Sequence, residues 1–302
     1  MSLAAAVLLA LTFACDKPDD IAKSTDAGRF IKDDLGREVR MPLKLERAVS
    51  LAPSITELVF AAGAGDKLVG VTTYCDFPAE ARSIQKIGDT QTPNIESIIA
   101  LKPQVVFVST ASQLEAFAKT LEEQSIAVYV VDVRGIDDVP NVVRQIGEFF
   151  GTLDRANSAA DSLFKRMEAA RANGTTTNRP RVFVQLSEEP LFTIGRDSFL
   201  TALIERAGGL SATGDLPTGY PKLSKETASA LHPDVIILSA SDDNQRPNDV
   251  FRDSPAVKTG RVFKVNADIL SRPGPRLVDA LEEISKDLTG GGSGTANLSV
   301  PK

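Results

Sequence analysis

The sequence predicts an α/β protein of two lobes, each built on a parallel sheet, with a long helical connector between them. Three observations carry this reading. Apolar runs of strand length alternate with helical patterns, as in βαβ units. A central stretch from Ile136 to Ala172 keeps helical spacing, with only Gly151 as a clear interruption. The two halves also repeat one another. NIESIIALKPQVVFVS from Asn94 and SKETASALHPDVIILS from Ser224 share six identities in 16 residues at an offset of 130. Within them Glu96 matches Glu226, Pro103 matches Pro233 and Ser109 matches Ser239. A second echo, ITELVFAAG from Ile55 and LTALIERAGG from Leu200, has an offset of 145. Matched lobes account for both echoes. Length agrees: 302 residues, at about 100–200 per domain, make about two domains.

From the N-terminus, Leu3 to Ala14 is a run of 12 residues, apolar except for Thr12. Spanning a bilayer takes about 20 residues, so residues 1–14 read as an export signal. Cys15 follows directly after a small residue, which resembles the acylated cysteine of bacterial lipoproteins. Residues 15–46 are then a tether, polar from Asp16 to Gly28, and a lead-in. The first lobe covers 47–135, with strands at Ala48–Ala52, Leu68–Thr72, Val105–Ser109 and Ala127–Val131. Ser54–Ala62 is a helix, with Ser54 as cap, Glu57 completing a capping box and Gly63 as the stop. Gln113–Gln124 is another helix, and a short one precedes Val105. Residues 136–172 are the connector, with Val139, Val142, Val143, Ile146, Phe149 and Phe150 on its apolar stripe. Such a helix rises about 1.5 Å per residue and fixes the separation of what it joins. The second lobe covers 180–288, with strands at Val182–Leu186, Leu191–Ile194, Val235–Ser239 and Val262–Val265. Its helices are Phe199–Ala207 and Pro275–Leu288, with a short one before Val235. Residues 289–302 are Gly/Ser-rich and read as a disordered tail.

Composition narrows function. Hydrophobic residues are 42% and charged residues 25%, the balance of a globular chain. The net charge of −6, from 34 basic and 40 acidic residues, leaves no broad field for a nucleic-acid backbone. His232 is the only histidine, and Cys15 and Cys75 are the only cysteines. Clustered His/Cys zinc sites and Ser-His-Asp hydrolysis away from His232 are thereby excluded. There is no Walker loop, GxGxxG, GxSxG or HExxH. His232, in LHPD, reads as a solvated turn residue, and Cys75 as a small half-buried one. Asp76, Asp89 and Asp268 are widely spaced loop carboxylates. Nothing here points to an enzyme. Tryptophan is absent and tyrosine occurs three times, so no ligand can be held by indole stacking.

The ordered motifs then carry a resemblance. SLAPSITE from Ser50, VGVTTYCDFP from Val69, NIESIIALKPQVV from Asn94, RVFVQ and PLFTIG after Arg181, a second LHPDVII, and SRPGPR from Ser271 run over about Arg47 to Leu288. The set resembles bacterial periplasmic binding proteins of the helical-backbone class, which serve ABC importers for cobalamin, iron–siderophore complexes and haem. Its pattern is nearest to the cobalamin binders. The resemblance implies two Rossmann-like lobes with parallel sheets, a backbone helix between them and a ligand cleft between the lobes.

It also implies roles for particular residues. Tyr74, Phe192 and Tyr220 match cleft aromatics, and Asp268 and Arg272 match polar cleft residues. Pro53, Thr90 and Ser109 lie on loops at the same cleft. Tyr74 offers an apolar face for a flat macrocycle, a hydroxyl, and as phenolate a ligand for haem iron. The cobalamin binders carry tryptophans where Thr90, Ser109, Tyr220 and Ile269 stand here, so this cleft is smaller-walled and more polar. Glu96 and Glu226 match glutamates that meet arginines on the two permease subunits. The implied protein is a monomeric receptor in the periplasm or cell envelope, held at the membrane only through lipidated Cys15. Its partner is a permease dimer. It has no cofactor and binds no nucleic acid. Its cargo is cobalamin or another corrinoid, with a ferric siderophore or haem as the alternative. An exported metalloenzyme or metal chaperone is the reading from a different class.

Overall fold

A computed structural model describes residues 28–110, 112, 114–173 and 179–290. The export signal, Cys15 and nearly all of the tether and tail lie outside the described residues. The described chain opens with an antiparallel hairpin, β1 (Arg29–Lys32) and β2 (Glu38–Met41), within the lead-in.

The first lobe follows as β3 (Ala48–Ser50), α1 (Pro53–Ala61), β4 (Leu68–Val71), α2 (Ile95–Ala100), β5 (Val105–Ser109), α3 (Leu114–Glu123) and β6 (Ala127–Val131). Its strands are all parallel, in the order β4-β3-β5-β6. The second lobe contains β7 (Arg181–Gln185), α6 (Phe199–Arg206), β8 (Leu210–Ser211), α7 (Lys225–Ser229), β9 (Val235–Ala240), α8 (Pro255–Lys258), β10 (Val262–Asn266), α9 (Ala267–Ser271) and α10 (Leu277–Leu288). Its parallel order is β10-β9-β7-β8. Counted within each lobe, both sheets therefore run second, first, third, fourth.

The two sequence echoes fall on equivalent elements of this shared topology. The offset of 130 relates α2 and β5 to α7 and β9; the offset of 145 relates α1 to α6. Lys102 and His232 stand at the same repeat position, and both adopt positive φ, 48° and 43°. The LKP and LHP turns thus share a left-handed backbone as well as a motif. His232 is exposed there, as a turn residue should be.

Three expectations need correction. Ser54 is not the cap of α1. Pro53 occupies the first turn, Ala52 is the N-cap, and no side chain caps it. Proline suits the first turn because its missing N–H has no helical partner there. Glu57 is thereby freed from a capping box and turns toward the other lobe. Leu191–Ile194 is not a regular strand. Phe192 makes only isolated bridges, to Ser187 and Lys222. The connector, finally, is two helices rather than one. α4 (Val139–Phe150) ends at Gly151, whose φ is +68°, and α5 (Leu153–Asn173) starts immediately after.

α4 packs into the first lobe. Its Phe149 stacks on Phe107 at 6.3 Å and meets Tyr129 edge-on at 5.2 Å. Gln145 of α4 donates to the Tyr129 hydroxyl at 2.9 Å. Only α5 runs between the lobes. Its Ala156, Ala160, Leu163, Met167 and Ala170 lie in one apolar core with α1 and α4 on one side and α6 and α10 on the other. That core passes through both lobes without a break, while the far face of each sheet has a smaller core of its own. Arg166 of α5 pairs with Asp279 and Glu282 of α10 at 2.7 and 2.5 Å. Arg206 of α6 reaches Glu168 of α5 at 2.7 Å and Asp137, just before α4, at 2.5 Å.

The turn between α4 and α5 depends on Gly147. A Cβ there would sit 2.2 Å from the Ala156 Cβ. Gly147→Ala should force the helices apart and destabilise the fold by about 1–3 kcal/mol despite alanine's better helix propensity. A urea titration of variant and wild type measures it, and an unchanged midpoint would mean that the two helices do not need this contact.

Candidate functional site

A cavity of about 890 Å³ opens between the lobes, large for a small-molecule site. In open parallel sheets ligands lie beyond the carboxyl ends of the strands, where the strand order switches direction. The cavity obeys this rule in both lobes. Ala52, Pro53 and Ser54 follow β3, Tyr74 follows β4, Ser109 and Thr110 end β5, and Val133 and Arg134 follow β6. Asp197 and Phe199 come after β7, Tyr220 after β8, and Asp268, Ser271, Arg272 and Pro273 after β10.

Each aromatic is held by its backbone neighbours. Tyr74 is 62% exposed, yet the next residue, Cys75, is fully buried rather than half-buried. The Cys75 thiol lies 3.0 Å from the Thr72 hydroxyl and 3.2 Å from that of Thr56. Lys86 donates to the Cys75 carbonyl at 2.9 Å. Cys75 is thus the anchor beneath an exposed ring. Tyr220 is 52% exposed in the second lobe. Its loop is pinned by an irregular ladder, with Gly195 donating to the Gly219 carbonyl at 2.8 Å and Thr193 to the Pro221 carbonyl at 3.1 Å. A Cβ at Gly195 would stand 2.0 Å from the Thr218 carbonyl oxygen, so the close approach needs glycine. This explains the irregular Leu191–Ile194: its backbone seats Tyr220. Phe192 is half-buried and is not among the cavity-lining residues; Phe199 takes a place in the wall instead.

The remaining expected residues separate by environment. Pro53, Thr90, Ser109, Asp268 and Arg272 line the cavity. Asp89 does not; it closes its own turn by accepting from the amides of Gln91 at 2.8 Å and Thr92 at 2.6 Å. Those bonds hold its carboxyl below the usual range. Glu96 and Glu226 are exposed and lie away from the cavity, in the first turns of α2 and α7. Asn94 and Ser224 cap those helices by accepting from Ser97 and Thr227 amides. Hydrogen bonds from the Glu226 amide and Ser224, with a smaller pull from Lys225, lower the Glu226 carboxyl.

At the cavity edge the lobes are joined by a cluster of charges, of which sequence reasoning named Asp268 and Arg272 as cleft residues but missed the pairing of Arg276 with Glu57. Arg276, just before α10, grips Glu57 of α1 with Nη2 at 2.6 Å from Oε1 and Nε at 3.0 Å from Oε2. The Glu57 side chain is 2% exposed. The Arg276 guanidinium also lies 4.3 Å from the centre of the Phe77 ring, a cation–π contact. Beside it Arg272 donates to Asp76 of the first lobe at 2.7 Å and to Asp268 of its own lobe at 2.9 Å. Burial raises the Glu57 carboxyl against the pull of Arg276 and Arg272. Burial acts on Asp76 in the same sense, but the hydrogen bond and charge of Arg272 outweigh it and hold that carboxyl low. The signal for Arg276 was present in SRPGPR, but its partner had been assigned to a capping box.

Among the described residues no group of three or more His, Cys, Asp or Glu side chains could hold a metal ion. No described helix is long and apolar enough to cross a membrane. The site offers two exposed aromatic rings, paired charges and the first-turn amides of α1, with Ser54 and Ile55 in the wall. Such a surface can bind and orient a ligand.

Comparisons with known proteins agree with this geometry. Residues 49–269 match a family described as periplasmic binding protein. The chain is 30% identical over 246 residues to the vitamin B12-binding protein of Vibrio parahaemolyticus, covering 80% of this chain and 88% of that one. It is also 30% identical over 297 residues to the uncharacterized ABC transporter substrate-binding lipoprotein YvrC of Bacillus subtilis, covering 95% and 94%. Among solved structures, the periplasmic vitamin B12 binding protein BtuF of Vibrio cholerae superposes with a TM-score of 0.73 at 28% identity, covering 83% of this chain and 99% of that one.

Removing one partner of a buried ion pair leaves the other charge uncompensated. Glu57→Gln should therefore destabilise the protein by about 3 kcal/mol. In a double-mutant cycle with Arg276→Gln, the two losses should fall short of additivity by about 1 kcal/mol or more. Strict additivity in urea unfolding would deny that Glu57 and Arg276 hold the lobes together.

Proposed function

The chain belongs to the periplasmic binding protein family, and from that premise we propose that it captures cobalamin or a related corrinoid in its inter-lobe cleft and delivers it to an ABC importer. The receptor role for an ABC transporter goes with the family, as does the absence of catalysis and of a resident cofactor. The corrinoid is our reading of the cleft.

One observation carries that reading: the cleft is wide, faced by tyrosine from both lobes, and has no net positive charge. Tyr74 and Tyr220 offer broad apolar faces to a flat ligand. Asp132, Asp197 and Asp268 stand in the wall against Arg134 and Arg272. Both arginines are already paired, Arg134 with Asp132 at 3.0 Å and Arg272 with Asp76 and Asp268. A corrinoid suits this wall. Its periphery carries neutral amides, which can donate to the carboxylates and accept from the Ser54 and Ile55 amides. Its cobalt arrives already ligated and asks no side chain to complete it. Haem carries two propionates and takes an axial ligand from its protein. Among the described residues of the wall, tyrosine is the only side chain that could supply one, and each arginine is already in an ion pair.

Release follows from the fixed lobes. Glu96 and Glu226 are exposed, equivalent in the repeat and one per lobe. Two carboxylates on a rigid body suit a pair of cationic patches related by a twofold axis. Such contacts give registration and steering more than affinity. The receptor acts as a monomer, and Cys15, outside the described residues, is its lipid anchor in the cell envelope.

Calorimetry on the purified protein tests the cargo. Cyanocobalamin should bind with Kd below about 1 μM, tighter than haem or any of a panel of ferric siderophores. Tyr74→Ala and Tyr220→Ala should each weaken it by roughly 10- to 100-fold, as for aromatic anchors at an interface. Tight haem binding with cyanocobalamin ignored would replace the cargo. Glu96→Ala with Glu226→Ala should abolish uptake by cells while the purified variant keeps its cyanocobalamin affinity. Uptake at the wild-type rate would refute the docking role.

A further inference from the structure

Resting on the corrinoid reading, we propose that Asp76 and Asp268 form a charge filter: by occupying both amino groups of Arg272 they cancel the cleft's most buried cation and so reject anionic metal chelates. The Arg272 side chain is 12% exposed, set between the lobes and lining the cavity. Nη1 donates to Asp76 at 2.7 Å and Nη2 to Asp268 at 2.9 Å. Glu57 adds a third carboxylate 3.9 Å from Nη1. A guanidinium is the usual fork for a carboxylate or phosphate. Here its fork is filled from inside the protein.

The two aspartates differ from Arg272 in exposure. Asp76 and Asp268 are half-exposed, at 50% and 52% of their side chains. Of the two, Asp268 lines the cavity beside Arg272, so an entering ligand meets its carboxylate before the more buried guanidinium, while Asp76 holds the other amino group from the first lobe. The buried grip of Arg276 on Glu57 joins the lobes beside Arg272, so the Arg272 pairs are a second contact there rather than the sole one. An anionic chelate would have to displace Asp76 or Asp268 and leave that carboxylate unpaired beside it. A neutral, amide-bearing chelate has no such conflict and can bond to the outer oxygen of Asp268. Specificity of this kind is a cost imposed on the wrong ligand rather than a gain for the right one. The ion pair of Asp132 with Arg134 at the opposite wall works in the same sense.

The experiment uses haem as the anionic probe, titrated by its absorbance into the wild type and into the double variant Asp76→Asn with Asp268→Asn. Asparagine keeps the volume and the carbonyl acceptor and removes the charge. The variant should bind haem about tenfold more tightly or better. Adding Arg272→Gln should abolish the gain. If the double variant fails to fold, either single variant should show a gain of about threefold. An unchanged haem affinity overturns the filter, and so does a gain that survives Arg272→Gln. The outcome is separable from the cargo reading. A wild type that ignores cyanocobalamin defeats the corrinoid, while the change in haem affinity still reports on the filter.

Discussion

Everything in this protein depends on how the two lobes are held apart. α5 does not simply bridge them as a rod. Its small residues Ala156, Ala160 and Ala170 let both lobes pack closely on it, so one apolar core serves the whole molecule. At the rim of the cleft the bidentate grip of Arg276 on Glu57 closes the same distance from the other side. A buried ion pair gives modest net stability, because desolvation offsets much of the attraction. What it does give is geometry, since neither group tolerates being buried without the other. Arg206, bonded to Glu168 and Asp137, repeats the device away from the cavity.

A cleft of fixed width is preorganised, and preorganisation changes what binding costs. Little of the interaction energy goes into moving the walls. The sheets deliver loops, and each loop is fixed from behind: Tyr74 by buried Cys75, and Tyr220 by the ladder through Gly195. Flat aromatic faces then supply area without much loss of side-chain freedom. In the proposed filter, paired charges set the sign of the ligand that can follow. On the proposed docking role, the same rigidity lets Glu96 and Glu226 act far from the cleft. Glu96 and Glu226 stand on helices that pack against the separate far-face cores of the two lobes, and the core that runs through both lobes lies between those.

Much of this was legible in the sequence. Strand-length apolar runs placed β5 and β6 to the residue, because a buried parallel strand leaves a run bounded by turns. The echoes foretold a topology shared by both lobes. Tyr74, Tyr220, Asp268 and Arg272 all reach the cavity. The failures have physical causes. Ser54 and Glu57 have the spacing of a capping box, but Pro53 shifts the helix start and tertiary pairing claims Glu57. The connector's pattern continued past Gly151 because both helices bury a stripe against the same core. Leu191–Ile194 alternates like a strand, yet its partner is a loop. Arg276 lies within the SRPGPR motif, but its pairing with Glu57 was not legible, because an ion pair across 219 residues leaves no local pattern.

The central claim is a preformed cleft whose lobes stay put when the cargo arrives. Spin labels introduced at positions 96 and 226, one per lobe and both exposed, report the separation directly by pulsed electron resonance. Saturating cyanocobalamin should leave the distance distribution narrow and its mean within about 2 Å of the free protein, the range of preorganised partners. A shift of several ångströms, or a broad free distribution that collapses on binding, would show lobes that close on their ligand and would contradict the account.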